Sequence, residues 1–378
     1  MPLYHSDDQA MLKDMVAPFV AETAPVAHLR SLRDAKDETG FSRDLWQQFA
    51  EMGFTGILVP EAQGGMGMGH AEAGIVLEEI GRNLTPSPFL TTSVAAASAF
   101  RAAGGALADQ WLPKIAKGEA IAALAIDEGP RHAPERTAMR AERSGNGFRL
   151  SGTKQFVLNG HVADVLLVLA RTAGSEREEA GLTLFAVPKD AGNMTADPRR
   201  LVDASLASHM SFEGVTVDAD AVVGEVDAGW EAVKPMLAAA RTGAAAEMLG
   251  VGQGAMDMTM GYLKQRKQFG RLIGEFQALQ HRAAHLYSEL EIARASVMKA
   301  QALLDEGSEG AELMVSVAKA KVGAAANLAV REGVQMHGGI GMTDEYDIGL
   351  YMKRDRALSE FMGDARYHTD RVARMNGY

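Results

Sequence analysis

A mostly helical α+β chain is what this sequence predicts, with its strands confined to the middle. Three observations carry that expectation. Leu279, Ala283, Leu286, Leu290, Ala293, Val297, Ala300 and Leu304 recur in steps of three and four, the spacing that keeps one stripe of a helix facing its partners. Val315, Ala318, Val322, Ala325 and Ala329 repeat that spacing, so a second helix packs in the same bundle. Between residues 121 and 228, in contrast, short apolar runs alternate with Gly, Pro and Asp, the texture of strands and turns. The expected organisation is a helical domain over 1–120, a β domain over 121–228 and a helical bundle over 229–378.

In chain order, Ser6 or Asp7 can cap a first helix carrying Leu12, Val16 and Val20, and Ser42 a second carrying Leu45, Trp46 and Phe49. Gly64-Gly65-Met66-Gly67-Met68-Gly69 then breaks the pattern. Its spacing does not match a dinucleotide fingerprint and no βαβ unit surrounds it, so a tight connection between helices is the preferred reading. Glu72 to Gly81 resumes a helix. Strands are expected at Ile121–Asp127, at Ala138–Arg143 and Gly147–Ser151 around the hairpin signal Ser144-Gly145-Asn146-Gly147, and at Val165–Ala170, Leu182–Val187 and Val215–Val217. Lys154 to Gly160 reads as an edge strand and turn. From Trp230 helices return with a small-residue run, Ala238 to Gly250, which admits close approach by another backbone or by a ligand.

At 378 residues, 47% of them hydrophobic, the chain suits two or three packed domains with a large interior. No run of about twenty apolar residues suggests a membrane span, and Met1 to Asp8 lacks the basic and apolar regions of a secretory signal. The absence of cysteine excludes disulfides, thiolate catalysis and Cys-ligated metal centres, and a cytoplasmic enzyme fits. A net charge of -11 disfavours a nucleic-acid binder, which needs a basic surface to replace counterions. His281, His285 and Glu289 share a helix face but lack the pattern of a di-metal bundle or a metalloprotease helix, so no metal is expected. No nucleophile elbow appears, and Gly250, Gly252 and Gly254 follow no strand.

Two glycine-closed turns remain. Arg266-Lys267-Gln268-Phe269-Gly270, followed by Phe276-Gln277, places a guanidinium where its planar fork can meet a phosphate, or where it merely offsets a helix dipole. Gln335-Met336-His337-Gly338-Gly339 is a helix C-terminus whose glycines expose backbone N–H groups, or a plain cap. In register, the two resemble the flavin-contacting turns of the acyl-CoA dehydrogenase family, and the likeness extends over essentially the whole chain. It implies an N-terminal helical domain, a small β-barrel-like domain and a C-terminal four-helix bundle. It also implies α,β-desaturation of an acyl-CoA to the trans-2-enoyl-CoA, with FAD as hydride acceptor and an electron-transfer flavoprotein downstream. By position, Arg266 would bind the FAD pyrophosphate across a subunit interface, Phe269 would pack near the adenine, and Gln277, Gln335, Gly338 and Gly339 would complete the dinucleotide site. Around the flavin ring, two family threonine positions hold Ile126 and Leu158, and the usual tryptophan is Phe156.

The proton acceptor departs from the family. Its glutamate precedes a glycine where this chain has Met362-Gly363, and the alternative position of some long- and branched-chain members is Ala240. The chain is similar to heteromeric bacterial members, including the small subunit of pimeloyl-CoA dehydrogenase, in Arg241, Thr242, Ala246 and Glu247. Glu247, seven residues and about 10 Å along the helix from Ala240, is the leading candidate base. Asp364 is its rival, and a chain with no base of its own is the third possibility. Two hypotheses follow: an FAD-dependent dehydrogenase, its base relocated or supplied within a mixed assembly, or a flavin-binding, catalytically silent partner subunit. A tetramer is expected, homomeric or mixed with a second chain of the family, because the helices after Trp230 carry more apolar stripe than a monomer needs to cover.

Overall fold

The computed structural model describes residues 4–378; Met1 to Leu3, the head of the segment read for a signal, lie outside them. Six helices come first: α1 (Asp7–Thr23), α2 (Val26–Asp34), α3 (Arg43–Glu51), α4 (His70–Asn83), α5 (Ala97–Ala103) and α6 (Gly105–Ala116). Eight strands follow: β1 (Ala122–Ala125), β2 (Arg140–Ser144), β3 (Gly147–Leu158), β4 (Val165–Arg171), β5 (Leu182–Pro188), β6 (Met194–Arg200), β7 (Leu206–Asp218) and β8 (Val222–Val223). The chain closes with α7 (Gly229–Leu263), the hairpin β9 (Lys267–Gln268) and β10 (Arg271–Leu272), then α8 (Gln277–Asp305), α9 (Ala311–His337), α10 (Ile348–Glu360) and α11 (Ala365–Met375). By compactness it divides into two units, residues 1–31, 70–85 and 241–378 in one, and 32–69 and 86–240 in the other. The N-terminal helices α1 and α4 fall in the first unit and α3, α5 and α6 in the second.

The second unit is built on a sheet of order β6-β7-β3-β2-β4-β5-β8, with β1 parallel to β4. β4 is buried along its whole length, which is why its sequence, Val-Leu-Leu-Val-Leu-Ala-Arg, is a continuous apolar run rather than an alternation. The expected hairpin pairs Ser144 with Gly147 around Gly145 at φ 60°. Gly147 cannot be replaced: a Cβ there would lie 2.0 Å from the Val217 carbonyl oxygen. β6 escaped the sequence reading because it is exposed and holds Pro198, which an edge strand tolerates. A π-helical stretch, Leu90–Ala96, is stitched to β1 by Thr92 Oγ1, which accepts from Ala122 N (3.0 Å) and donates to its carbonyl (3.1 Å).

At the end of β4, Arg171 is fully buried and donates only to backbone carbonyls: Thr137 (2.9 Å), Glu178 (2.8 Å), Ala180 (3.1 Å), Glu135 (3.2 Å) and Ala173 (3.4 Å). Removing it strands those acceptors. Arg171→Ala is expected to cost about 3–5 kcal/mol, read from the denaturation midpoint; a loss below about 1 kcal/mol would show that water replaces it.

The first unit is a helical assembly. Ser6 forms the expected N-cap, closing a capping box with Gln9. α4 is capped from another helix: the Asp305 carboxylate accepts from His70 N (2.7 Å) and Ala71 N (3.1 Å), and those bonds with the His70 ring hold its pKa below the usual range despite burial. α4 and α7 cross so closely that Cβ atoms at Gly81 and Gly250 would lie 2.0 Å from the Glu247 carbonyl oxygen and 1.9 Å from that of Glu78. Helix packing therefore accounts for that end of the small-residue run. α9 is long and apolar enough to cross a membrane by length and composition, but its stripe, Val315 to Ala329, is buried inside the protein.

Candidate active site

Both phosphate-suited turns fall in the first unit, and aromatic packing joins them. After α7 the chain turns back through β9 and β10, with Phe269 at φ 52° and Gly270 at φ 81°, the two left-handed residues of a tight hairpin. A bulky residue tolerates that conformation poorly, and Phe269 adopts it with 91% of its surface exposed. Behind it, Phe276 meets the Phe269 ring edge-on at 6.2 Å, and the Arg271 guanidinium lies 4.0 Å above the Phe276 ring. The turn that carries Arg266 is closed by two backbone bonds, Arg266 N to Tyr262 O and Ile273 N to Arg266 O, both 2.9 Å.

The second turn starts where α9 ends at His337. Gly338 takes φ 66° and donates its N–H to Gln335 O as the cap of α9, and a Cβ at Gly338 or Gly339 would meet nothing within 4 Å, so the side of the turn those glycines present is open. His337 lies between two tyrosines, its ring 4.4 Å from Tyr262 and 4.8 Å from Tyr346. Its Nδ1–H donates to Gly333 O at 2.6 Å, and burial holds its pKa below the usual value, so the ring stays neutral. Tyr262 leads into the Arg266 turn and His337 into the glycines; their stacking fixes one turn against the other. Leu263, Ile273 and Met336 form an apolar floor beneath.

Arg266, Phe269, Gln277, Gln335, Gly338 and Gly339 are all exposed, and among the described residues Arg266 forms no ion pair. An unengaged guanidinium and an uncovered aromatic ring on one turn, packed through Tyr262 and His337 against a second glycine turn, fit the pyrophosphate and base of a dinucleotide such as FAD.

The positions expected to face the flavin ring lie in the second unit. The pairing of β3 with β7 slips between Lys154 and Val157, and this bulge sets Phe156 at φ 54° and 55% exposed. Leu158 is half-buried. Ile126 is 1% exposed, so its side chain offers no surface to a ligand, and its contribution is a carbonyl that accepts from Lys154 Nζ at 2.9 Å. That ammonium is fully buried, and it also donates to Glu128 (2.7 Å). Burial lowers the Lys154 pKa against the pull of Glu128.

The two candidate bases are engaged elsewhere. Glu247 is 1% exposed, and its Oε1 accepts from Arg354 Nε at 2.9 Å and, more closely, from Arg354 Nη2. Glu247 is thus paired with a basic residue, Arg354, 107 positions away. Asp364 is the N-cap of α11, its carboxylate accepting from Tyr367 N at 2.7 Å.

Sequence reading missed the residues that hold the Met362 turn. Met362 (φ 56°) and Gly363 (φ 104°) are both left-handed. The Met362 carbonyl accepts from Arg241 Nε (3.3 Å) and meets His368 Nε2 (3.1 Å), while Arg241 also reaches Tyr367 OH (3.1 Å). Lys319 donates to Leu358 O (3.0 Å), Gly363 O (3.2 Å) and Ser359 O (3.4 Å). Lys319 adjoins the apolar stripe of α9 at Ala318, where a lysine reads as solvent-facing; only the partner helices show it inside.

Three family models match in succession: the acyl-CoA dehydrogenase N-terminal domain over residues 6–119, the middle domain over 129–215 and the C-terminal domain over 227–376. Acyl-CoA dehydrogenase IpdE2 of Mycobacterium tuberculosis is 32% identical over 361 residues, 95% of this chain and 94% of that protein. Mitochondrial isovaleryl-CoA dehydrogenase of Pongo abelii is 32% identical over 368 residues, 94% of this chain and 85% of its own length. Among solved structures, the ChsE4-ChsE5 complex of Mycobacterium tuberculosis superposes with a TM-score of 0.90 at 27% identity, covering 100% of both chains.

Proposed function

The chain belongs to the acyl-CoA dehydrogenase family, and from that premise we infer that it is an FAD-binding subunit in the α,β-desaturation of an acyl-CoA to the trans-2-enoyl-CoA. Its proton acceptor comes from a second chain of the family in a mixed assembly. The observation that carries this reading is the disposition of carboxylates: Met362 and Ala240 occupy the family's two base positions, Glu247 is closed onto Arg354, and Asp364 caps a helix. The name of the ChsE4-ChsE5 complex, a structural neighbour, describes a two-chain assembly.

In this reading Arg266 would engage the pyrophosphate, Phe269 would pack at the adenine end, and Gln277, Gln335 and the turn at Gly338 and Gly339 would hold the remainder. Phe156 and Leu158 are the residues that would face the ring; neither side chain can hydrogen-bond to it, which would leave its potential to the backbone and the apolar surroundings. FAD bound there supplies the acceptor for the β-carbon hydride, and an electron-transfer flavoprotein takes the electrons onward. The α proton passes to the carboxylate of the partner chain.

The test begins with the protein purified alone and then with a co-expressed family partner, each titrated anaerobically with a panel of acyl-CoAs. Flavin bleached only in the mixed assembly supports the reading; rapid bleaching by the chain alone overturns it. The same assay decides Glu247. Glu247→Gln is expected to lower stability by about 1–3 kcal/mol, since it removes the charge facing Arg354, while the mixed assembly reduces its flavin at the wild-type rate. A lost rate with flavin still bound would instead make Glu247 the base.

A further inference from the structure

We propose that Lys319 is a positioning residue for the turn carrying Met362 and Gly363, and that this turn is held or released by the charge at residue 319. The proposal rests on the reading above for the turn's importance, but its geometry does not. Lys319 lies in the middle of α9 and is 1% exposed. It donates to three backbone carbonyls: Leu358 and Ser359 in the last turn of α10, and Gly363 beyond it. An ammonium has three N–H donors, one for each of these acceptors, and its charge offsets the negative end of α10. A neutral amine has two. Loss of the proton therefore removes one bond and the charge that strengthens the other two.

The surroundings decide where that loss falls. Burial opposes the charged form, and Arg241 on α7 adds to this; Asp355 and Glu360 on α10 and Asp364 at the head of α11 act the other way. Glu289 on α8 is taken up by Lys321, at 2.5 Å. The balance leaves Lys319 lowered from 10.5 to about 8, within reach of ordinary buffers. Arg241 and His368 reach the Met362 carbonyl, while Lys319 takes the carbonyl of Gly363, whose N–H returns to Glu360 O at 3.3 Å.

The sign separates this device from general alkaline instability. With its folded pKa depressed to about 8, Lys319 stays protonated in the unfolded chain up to its ordinary value of 10.5 while the folded form has lost its proton. The unfolded state binds more protons across that window, so this group makes global stability rise with pH there. The turn loosens as the fold gains.

The experiment is amide hydrogen exchange on the full-length protein, followed over the 358–368 peptide between about pH 6.5 and about pH 9.5 and corrected for the intrinsic rate. In the wild type, protection of that peptide is expected to fall about tenfold across the range, as one charge-assisted bond is lost, while α8 and the rest of α9 keep theirs. Lys319→Arg, which stays charged throughout, should flatten the profile, and Lys319→Met should lack protection at both ends. Unchanged wild-type protection at high pH, or a Lys319→Met protein as protected as the wild type, overturns the proposal. If neither variant folds, the wild-type series decides alone. Flavin content and acyl-CoA reduction measured on the same samples report on the dehydrogenase assignment separately: a colourless, inactive protein with the expected exchange profile would remove that assignment and leave Lys319 in place.

Discussion

Arg266→Ala is expected to yield a folded protein that purifies without flavin. In the wild type the guanidinium is exposed, with no intramolecular partner among the described residues that would be stranded by its removal. The substitution should therefore leave the fold intact and act on the ligand alone. A charge-assisted contact of this kind is worth about 1.5–3 kcal/mol, roughly ten- to a hundredfold in affinity, and more when the fork is bidentate. The measurement is the ratio of flavin to protein absorbance after purification, followed by equilibrium dialysis with added FAD. Wild-type flavin content in Arg266→Ala would remove the turn from the cofactor site. The stacked Tyr262, His337 and Tyr346 rings give a control: Arg266→Lys should keep their packing and still bind FAD less well, because a point charge does not reproduce the planar fork.

The second large effect is a gain. Met362→Glu should produce a chain that bleaches its own flavin with acyl-CoA, with a rate about 10²–10⁴ above the wild type, the usual contribution of a positioned general base. The backbone already accepts a side chain at φ 56°, so the exchange adds no strain that Met362 does not carry. Its carbonyl remains held by Arg241 and His368, and that of Gly363 by Lys319. The cost is burial of a carboxyl where Met362 is enclosed, offset in part by the Arg241 charge. Single-turnover reduction under anaerobic conditions with the acyl-CoA panel is the assay. A Met362→Glu protein that holds FAD and reduces it with none of the panel would show that more than the carboxylate separates this chain from a self-sufficient enzyme.

The sequence by itself determined the helix–strand–helix order, because that order is written in local periodicity. The stripes from Leu279 and from Val315 fall within α8 and α9, Ser6 and Ser42 cap the helices they were expected to cap, and Ser144–Gly147 is the hairpin. It also marked both glycine-closed turns, since a helix end needs a residue free to turn. β6 left no such mark: an exposed edge strand has no buried face to imprint an alternation.

What only the tertiary structure decided is which polar groups meet. Glu247 and Arg354 are 107 positions apart, and Lys319 lies 44 from Gly363; no periodicity links such pairs. A lone carboxylate in a run of small residues reads as a candidate base until the opposing helix supplies a guanidinium. A lysine beside an apolar stripe reads as solvent-facing until three carbonyls close on it. Burial turns both into fixed interactions, because an unpaired charge inside the protein costs more than the chain can offset. The partner that satisfies it is chosen by the packing of helices, and no local signal carries that choice.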